Sequence, residues 1–361
     1  MTYHSEVVGS LLRPSYLLEA RQQFEAGQLS PADFKAIEDR AVNEAIALQE
    51  STGIDVITDG EMRRYAFFGH FIDALEGFDK YGGATIAFRD EQGKQLRLKE
   101  AVVVDRLKWR RNMCAEEWVY LRSRATRPAK ITLPHIMLVA HYYDPEKSKA
   151  AYPNQDAFLA DLVDFTRREV EELIRLGCTY IQFDAPNYTP FLDPKLREVF
   201  RRRGQDPDKL LASYLELDNA IIDGHPGVTF AIHLCRGNNQ SMFFTTGDYE
   251  PVAQLFSRSH FQNFLLEYDD ERSGGFEVLR HVPDDRVVVL GLVTTKKPEL
   301  ESADELRQRI KEATRYMPLE RLALSPQCGF ASTMEGNHLT FEDQRRKLEL
   351  VANVAREVWQ A

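Results

Sequence analysis

Short apolar runs rich in β-branched residues alternate with longer segments of helical period along most of the 361 residues, and this alternation limits the fold more than any other feature. It is the pattern of parallel strands joined by crossover helices, in which both faces of the sheet are covered. Strands are expected near Glu6–Gly9, Asp55–Thr58, Ala129–Leu133, Tyr180–Phe183, Val228–His233, Phe264–Glu267, Val287–Gly291 and Leu322–Ser325. Eight is the number that closes a (β/α)8 TIM barrel, so the chain is read as a single α/β barrel domain spanning residues 1–361.

The intervening segments carry helix signals. Ser30-Pro31 places a cap before a first-turn proline, Phe34, Ile37, Ala41 and Ala45 recur on one face, and Gly53 ends the run. From Pro153 the scheme repeats, with Phe158, Leu162, Phe165, Leu173 and Leu176 ahead of Gly177. Ser302-Ala-Asp-Glu305 and Thr340-Phe-Glu-Asp343 read as capping boxes. Residues 62–125 break the alternation at Tyr81-Gly82-Gly83 and at the charged stretch from Arg89 to Arg111, and are expected to be an insertion after the second strand, a hairpin plus a helix over the barrel mouth.

A formal charge of -10 gives no general attraction to phosphate backbones or anionic lipid, and Arg201-Arg-Arg203 reads as a solvated helix end. No nucleic-acid or membrane partner is expected. No stretch nears the roughly 20 apolar residues of a membrane span, and Met1-Thr-Tyr-His-Ser-Glu lacks the basic-then-apolar layout of a signal peptide, so a cytoplasmic location is expected. The four widely spaced cysteines, Cys114, Cys178, Cys235 and Cys328, are unlike a disulfide framework. Cys178, directly before a strand, and Cys114, in the insertion, are read as core.

Polar residues collect after the expected strands, at the end where a barrel places its site: Gly9-Ser10, Asp59-Gly60-Glu61, Pro134-His135, Asp184, His233-Leu-Cys235, Glu267, Thr294-Thr-Lys296 and Pro326-Gln-Cys328. His233 and Cys235 stand two apart in an extended run, so both point to one face. With Glu267 and Cys328 they make an imidazole, two thiols and a carboxylate, a set suited to zinc; the competing reading of each buried cysteine is a small hydrophobe.

Six motifs in order, Val8-Gly-Ser-Leu-Leu-Arg-Pro14, Ile57-Thr-Asp-Gly-Glu-Met-Arg63, Ile181-Gln-Phe-Asp-Ala-Pro186, His233-Leu-Cys-Arg-Gly-Asn238, Leu266-Glu-Tyr268 and Ser325-Pro-Gln-Cys-Gly-Phe330, give the chain a resemblance to the cobalamin-independent methionine synthases, in their C-terminal catalytic domain and short single-domain relatives. The resemblance implies a zinc-dependent methyltransferase, acting as a 5-methyltetrahydropteroyltriglutamate-homocysteine S-methyltransferase does, with His233, Cys235, Glu267 and Cys328 as zinc ligands. It also implies that Ser10 meets the carboxylate of homocysteine and that Glu61 and Asp184 pair with its ammonium, while His135 is expected to contact substrate.

In the family a histidine after strand seven serves the proton relay to the leaving nitrogen of the methyl donor. Lys296 stands there in this chain, and the family's Asp-Glu-Pro after strand four becomes Asp184-Ala-Pro186. Lys296 is read as a relay group or, with Lys297, as an anion clamp. The large N-terminal half of full-length synthases is not in the sequence, which turns the expectation toward a donor other than folate, such as a corrinoid protein. Competing expectations are thiol conjugation to an epoxide and a uroporphyrinogen-decarboxylase-like enzyme without zinc.

Overall fold

A computed structural model describes residues 3–89 and 95–360; residues 90–94 of the expected insertion lie outside the described residues. Four strands come first, β1 (Leu75–Asp79), β2 (Thr85–Arg89), β3 (Gln95–Lys99) and β4 (Val102–Trp109), and pair antiparallel as β1 with β4 and β2 with β3. The other six are β5 (Ile131–Pro134), β6 (Tyr180–Asp184), β7 (Thr229–Leu234), β8 (Asn263–Glu267), β9 (Val287–Val293) and β10 (Leu322–Pro326). They form one parallel sheet in the order β10-β9-β8-β7-β6-β5, so every sheet neighbour is a sequence neighbour.

Two extended segments lie beyond the edges of this sheet. Ser5 bridges Leu324 of β10, Glu6 bridges Val56, and Ile57 bridges Ala129 just ahead of β5, all parallel. Glu6 N donates to Leu324 O at 3.1 Å and Lys130 N to Ile57 O at 3.0 Å.

Helices α1 (Ser15–Glu25), α2 (Pro31–Thr52), α3 (Gly69–Ala74), α4 (Ala115–Arg124), α5 (Ile136–Ala140), α6 (Gln155–Arg175), α7 (Pro194–Arg202), α8 (Pro207–Ile222), α9 (Ala253–Arg258), α10 (Ala303–Ala313) and α11 (Phe341–Trp359) complete the chain. Contacts run from α11 to α2, α2 to α4, α4 to α6, α6 to α8 and α8 to α9. No described helix is long and apolar enough to cross a membrane.

The ends of α2 follow the sequence: Ser30 accepts from Asp33 N, Pro31 opens the helix, and Gly53 takes the left-handed conformation at φ +88°. Thr340 and Asp343 form the expected reciprocal capping box of α11. Ser302 stands at the N-cap of α10, but its side chain makes no capping bond, so no box forms there.

Side-chain alternation divides the core in two. Ile181, Phe183, Phe230, Ile232, Leu234, Phe264, Leu266, Leu322 and Leu324 join the large core shared with the helices. Val8, Val56, Tyr180, Ala231, Leu265, Val289 and Ala323 form a separate small cluster on the opposite face of the strands. With a side-chain period of two, the residue after next on each strand shares that inner face: Gln182 and Asp184 on β6, His233 on β7, Glu267 on β8. Gln182 reaches from β6 to the first extended segment, its Nε2 donating to Val8 O at 2.8 Å.

Candidate active site

The inner-face polar residues meet at the carboxyl ends of the parallel strands. His233 is the penultimate residue of β7, Cys235 follows that strand, Glu267 ends β8 and Cys328 lies two residues past β10. One ligand atom from each comes within 4.8 Å of all the others, and all four residues are buried. Cys235 Sγ stands 3.6 Å from Cys328 Sγ, and His233 Nε2 stands 3.7 Å from Glu267 Oε1.

Neighbours orient this quartet. Asp184 Oδ1, 3.1 Å from His233 Nδ1, accepts a hydrogen bond from that nitrogen in the tautomer that leaves Nε2 to the sulfurs and Glu267, the arrangement that suits a metal-binding histidine. The Gln327 carbonyl also lies 3.2 Å from Nε2. Arg236 N donates to Glu267 Oε1 at 3.0 Å, while Glu267 Oε2 is buried with no hydrogen-bond partner among the described residues. A buried, orphaned carboxylate oxygen beside two sulfurs and an imidazole is a donor set that fits a tetrahedral zinc ion.

The electrostatics favour a cation at this point. Burial opposes charge on His233, but the hydrogen bond to Asp184 and the negative charges of Cys328, Asp184 and Glu267 outweigh it and raise the imidazole to about 9. The bond between the two thiols splits them: Cys235, donating to Cys328, is raised well above the usual thiol value, and Cys328, accepting that bond near His233 and Lys296, is lowered.

Two further expected residues, Ser10 and Glu61, are buried. Ser10 is buried, and its carbonyl accepts from Phe330 N at 2.8 Å. A Cβ on Gly329, the neighbour of Cys328, would stand 2.1 Å from Ser10 Oγ, so glycine is what lets the two loops meet. Glu61 accepts from Thr132 Oγ1 at 2.7 Å, and its Oε2 is buried and without a partner among the described residues. A Cβ on Gly9 would lie 2.5 Å from Glu61 Oε1. Burial raises the Glu61 carboxyl; Arg64 opposes the rise and Asp184 adds to it, so the two carboxylates sense one another.

Lys296 is 7% exposed, its Nζ 3.5 Å from Asn238 Oδ1, and its charge acts on both cysteines. His135 is arranged differently. Its Nδ1 accepts from Met137 N at 3.1 Å, its Nε2 pairs closely with Asp218 of α8, and neither ring nitrogen is left for a substrate.

Sequence reasoning missed several participants. Asp269 follows Glu267, and burial holds its carboxyl up at about 6 against the pull of Lys296. Asn337 donates to Asn238 Oδ1 and Thr295 O, both at 2.8 Å, and so ties together the loops after β7, β9 and β10. Nothing local in the sequence marks Asn337. Asp269-Asp270, by contrast, begins two residues after Glu267 and was within reach of the rule that polar residues collect after strands.

A mainly parallel α/β scaffold with one imidazole, two thiols and a carboxylate buried together at the strand ends defines the class, an α/β protein whose buried cluster could hold a metal ion. The family described as cobalamin-independent synthase, catalytic domain, matches residues 4–356. The chain is 34% identical to the uncharacterized protein YxjH of Bacillus subtilis over 362 residues, covering 99% of this chain and 95% of the relative. It is 26% identical to the methionine synthase of Pyrococcus abyssi over 327 residues, covering 90% and 85%. A B12-independent methionine synthase from Shewanella sp. W3-18-1, solved with selenomethionine, shares the fold at a TM-score of 0.77 and 20% identity, over 100% of this chain and 98% of that one. The chain belongs to the cobalamin-independent synthase family, whose methionine synthases are methyltransferases.

Proposed function

We propose that this protein is a zinc-dependent methyltransferase that alkylates a small thiol, homocysteine, to give the thioether methionine. The observation that supports this best is the convergence of His233, Cys235, Glu267 and Cys328 within 4.8 Å of one another. These four would hold the zinc. When bound, zinc supplies a Lewis acid that keeps a substrate thiol, otherwise mostly protonated at neutral pH, in its nucleophilic thiolate form.

The chain's own groups do the rest. Asp184 keeps the proton on His233 Nδ1, and the Arg236 amide keeps Glu267 Oε1 in place. Glu61 and Asp184 receive the substrate ammonium between two anions, and Ser10 donates to its carboxylate. Lys296 is assigned to the donor side, where it delivers a proton to the leaving group or clamps an anionic part of the donor. His135, with both nitrogens engaged, is assigned a supporting role through Asp218.

The parallel bridges of Ser5, Glu6 and Ile57 to both edges of the six-stranded sheet support a closed eight-membered (β/α)8 ring, and the inner cluster drawn from seven segments supports a filled barrel interior. In that barrel β1–β4 form an insertion between the second and third strands, and α4, packed against α2 and α6, is the regular crossover helix. Four free cysteines fit a reducing, cytoplasmic setting.

Lysine in place of the relay histidine favours one further reading, a methyl donor other than folate on the same thiol site. Both readings are tested by incubating zinc-loaded protein with homocysteine and, separately, 5-methyltetrahydrofolate as mono- and triglutamate and methylcobalamin, with product followed by mass spectrometry. Methionine formed from one of these donors and lost on chelation is the expected result. Equal turnover by zinc-free protein, or no thioether from any donor, would overturn the proposal.

A further inference from the structure

Glu61 is held in an unusual way. Its backbone takes φ +55°, a left-handed conformation that disfavours side-chain-bearing residues. Three bonds hold it there: Glu61 N donates to Asp59 Oδ1 at 2.9 Å, and Glu61 O accepts from Arg13 Nη2 at 2.8 Å and from Arg64 N at 3.1 Å.

The side chain is constrained by Arg64, whose Nη1 stands 3.4 Å from Glu61 Oε1, and by what Arg64 holds in turn. Arg64 Nη1 donates to Thr132 Oγ1 at 2.9 Å. The single hydroxyl proton of Thr132 is therefore directed away from the guanidinium, to Glu61 Oε1 at 2.7 Å. Arg64 is itself clamped by Glu117 of α4, with Nη2 at 2.7 Å and Nε at 3.1 Å from Glu117 Oε2, and its Nη2 also donates to Thr132 O at 2.9 Å. All four side chains are at most 3% exposed. The result is a carboxylate with one oxygen capped and the other, Oε2, buried and unpartnered among the described residues, and the charge of Asp184 acts on that carboxylate. Two buried carboxylates that repel one another, with one oxygen left open, make a position for a small cation.

We propose that Thr132, Arg64 and Glu117 are positioning residues that fix the Glu61 carboxylate with Oε2 presented, and that this relay makes the site select thiols bearing a primary α-ammonium. The inference rests on the reading above that Glu61 receives the substrate amine. A carboxylate free to rotate would share its charge between solvent and ligand and discriminate poorly. A carboxylate locked by a directed hydroxyl can offer its open oxygen only to a hydrogen-bond donor.

The test is calorimetric binding, to zinc-loaded full-length protein, of L-homocysteine and of 4-mercaptobutanoate, which has the same chain without the amine. The wild-type protein prefers homocysteine by about 10- to 100-fold, the worth of one buried charge-assisted contact. Thr132→Val, of nearly the same shape, reduces that preference about tenfold and leaves 4-mercaptobutanoate binding unchanged; Thr132→Ser restores it. Glu117→Gln acts at the far end of the relay and reduces the preference in the same way, which keeps the test decisive should valine at position 132 unfold the protein. Zinc content and thermal melting are followed for each variant. A wild-type protein that binds both thiols equally refutes the amine role of Glu61 itself. A wild-type preference that Glu61→Gln abolishes but Thr132→Val and Glu117→Gln leave intact refutes the relay while sparing that role.

Discussion

Cys235 and Cys328 form a buried pair with their sulfurs 3.6 Å apart, and the two thiols differ in acidity. Cys328 ionises below the usual thiol value, because it accepts from Cys235 and lies near His233; Cys178 is pushed by burial up to about 12, and Cys114 is raised well above its ordinary value. Since the thiolate is the nucleophile, its fraction at a given pH grows as that pH approaches the group's own pKa from below. Zinc-stripped protein treated with iodoacetamide at pH 8 is expected to be alkylated first at Cys328, with Cys178 and Cys114 unreacted, and zinc is expected to protect the pair; peptide mass mapping reads the order. Labelling of Cys178 before Cys328 would contradict this assignment. At this scale the sequence was legible where chemistry is local. His233 and Cys235 share a face because a strand has a period of two, whereas Glu267 and Cys328 were grouped with them by their places after strands six and eight, and the resemblance to the synthases then implied all four as ligands. The clamp on Glu61 was out of reach, because Arg64 and Thr132 are 68 positions apart and nothing in local pattern reports such a contact.

Among the elements, α2 and the segment after it show how a helix is locked to its next strand. Buried Gln49 donates from Nε2 to Ala45 O at 2.9 Å and to Thr58 O at 2.8 Å, and its Oε1 accepts from Thr58 N at 2.9 Å. The amide thus satisfies both backbone groups of Thr58, two residues before the loop that carries Gly60 and Glu61. Gln49→Ala leaves those groups buried and unpaired, and is expected to destabilise the fold by about 1–3 kcal/mol, measured by urea unfolding. Wild-type stability in that variant would show that water replaces the amide. Six of the eight expected strands are observed as strands. The segments at Ser5–Glu6 and Val56–Ile57 are paired only through isolated bridges, which a pattern of apolar residues cannot distinguish from longer ladders. Within residues 62–125, where a hairpin plus a helix was expected, the chain forms two antiparallel pairs and α4; the individual strands were not legible because Gly82-Gly83 and dense charge mask the alternation that marks half-buried strands.

Across the whole molecule, the face of the strands that carries Val8, Tyr180, Ala231, Leu265, Val289 and Ala323 is apolar between polar groups at both ends. At the end away from the quartet Lys130 pairs closely with Glu6, and Tyr180 donates to both oxygens of Glu6 at 3.1 and 3.0 Å. Lys130 is completely buried, and Glu6 is 5% exposed. Removing one partner strands a charge, so Lys130→Ala is expected to cost about 3–5 kcal/mol of stability in chemical denaturation, while a double replacement by apolar residues is expected to recover most of it. A single variant as stable as the wild-type protein would mean that water reaches Glu6. The parallel α/β class was legible from the strand and helix alternation; the layering of that face was not, since it depends on which residues of distant strands fall at the same level.

Zinc quantification with X-ray absorption at the zinc edge, recorded before and after addition of L-homocysteine, tests the metal-centred thiol chemistry most directly. One zinc per chain is expected, bound by two sulfurs and two lighter atoms, with a third sulfur appearing when the thiol is added. A shell that lacks the two cysteine sulfurs, or one that gains no sulfur with homocysteine, would contradict the proposed chemistry.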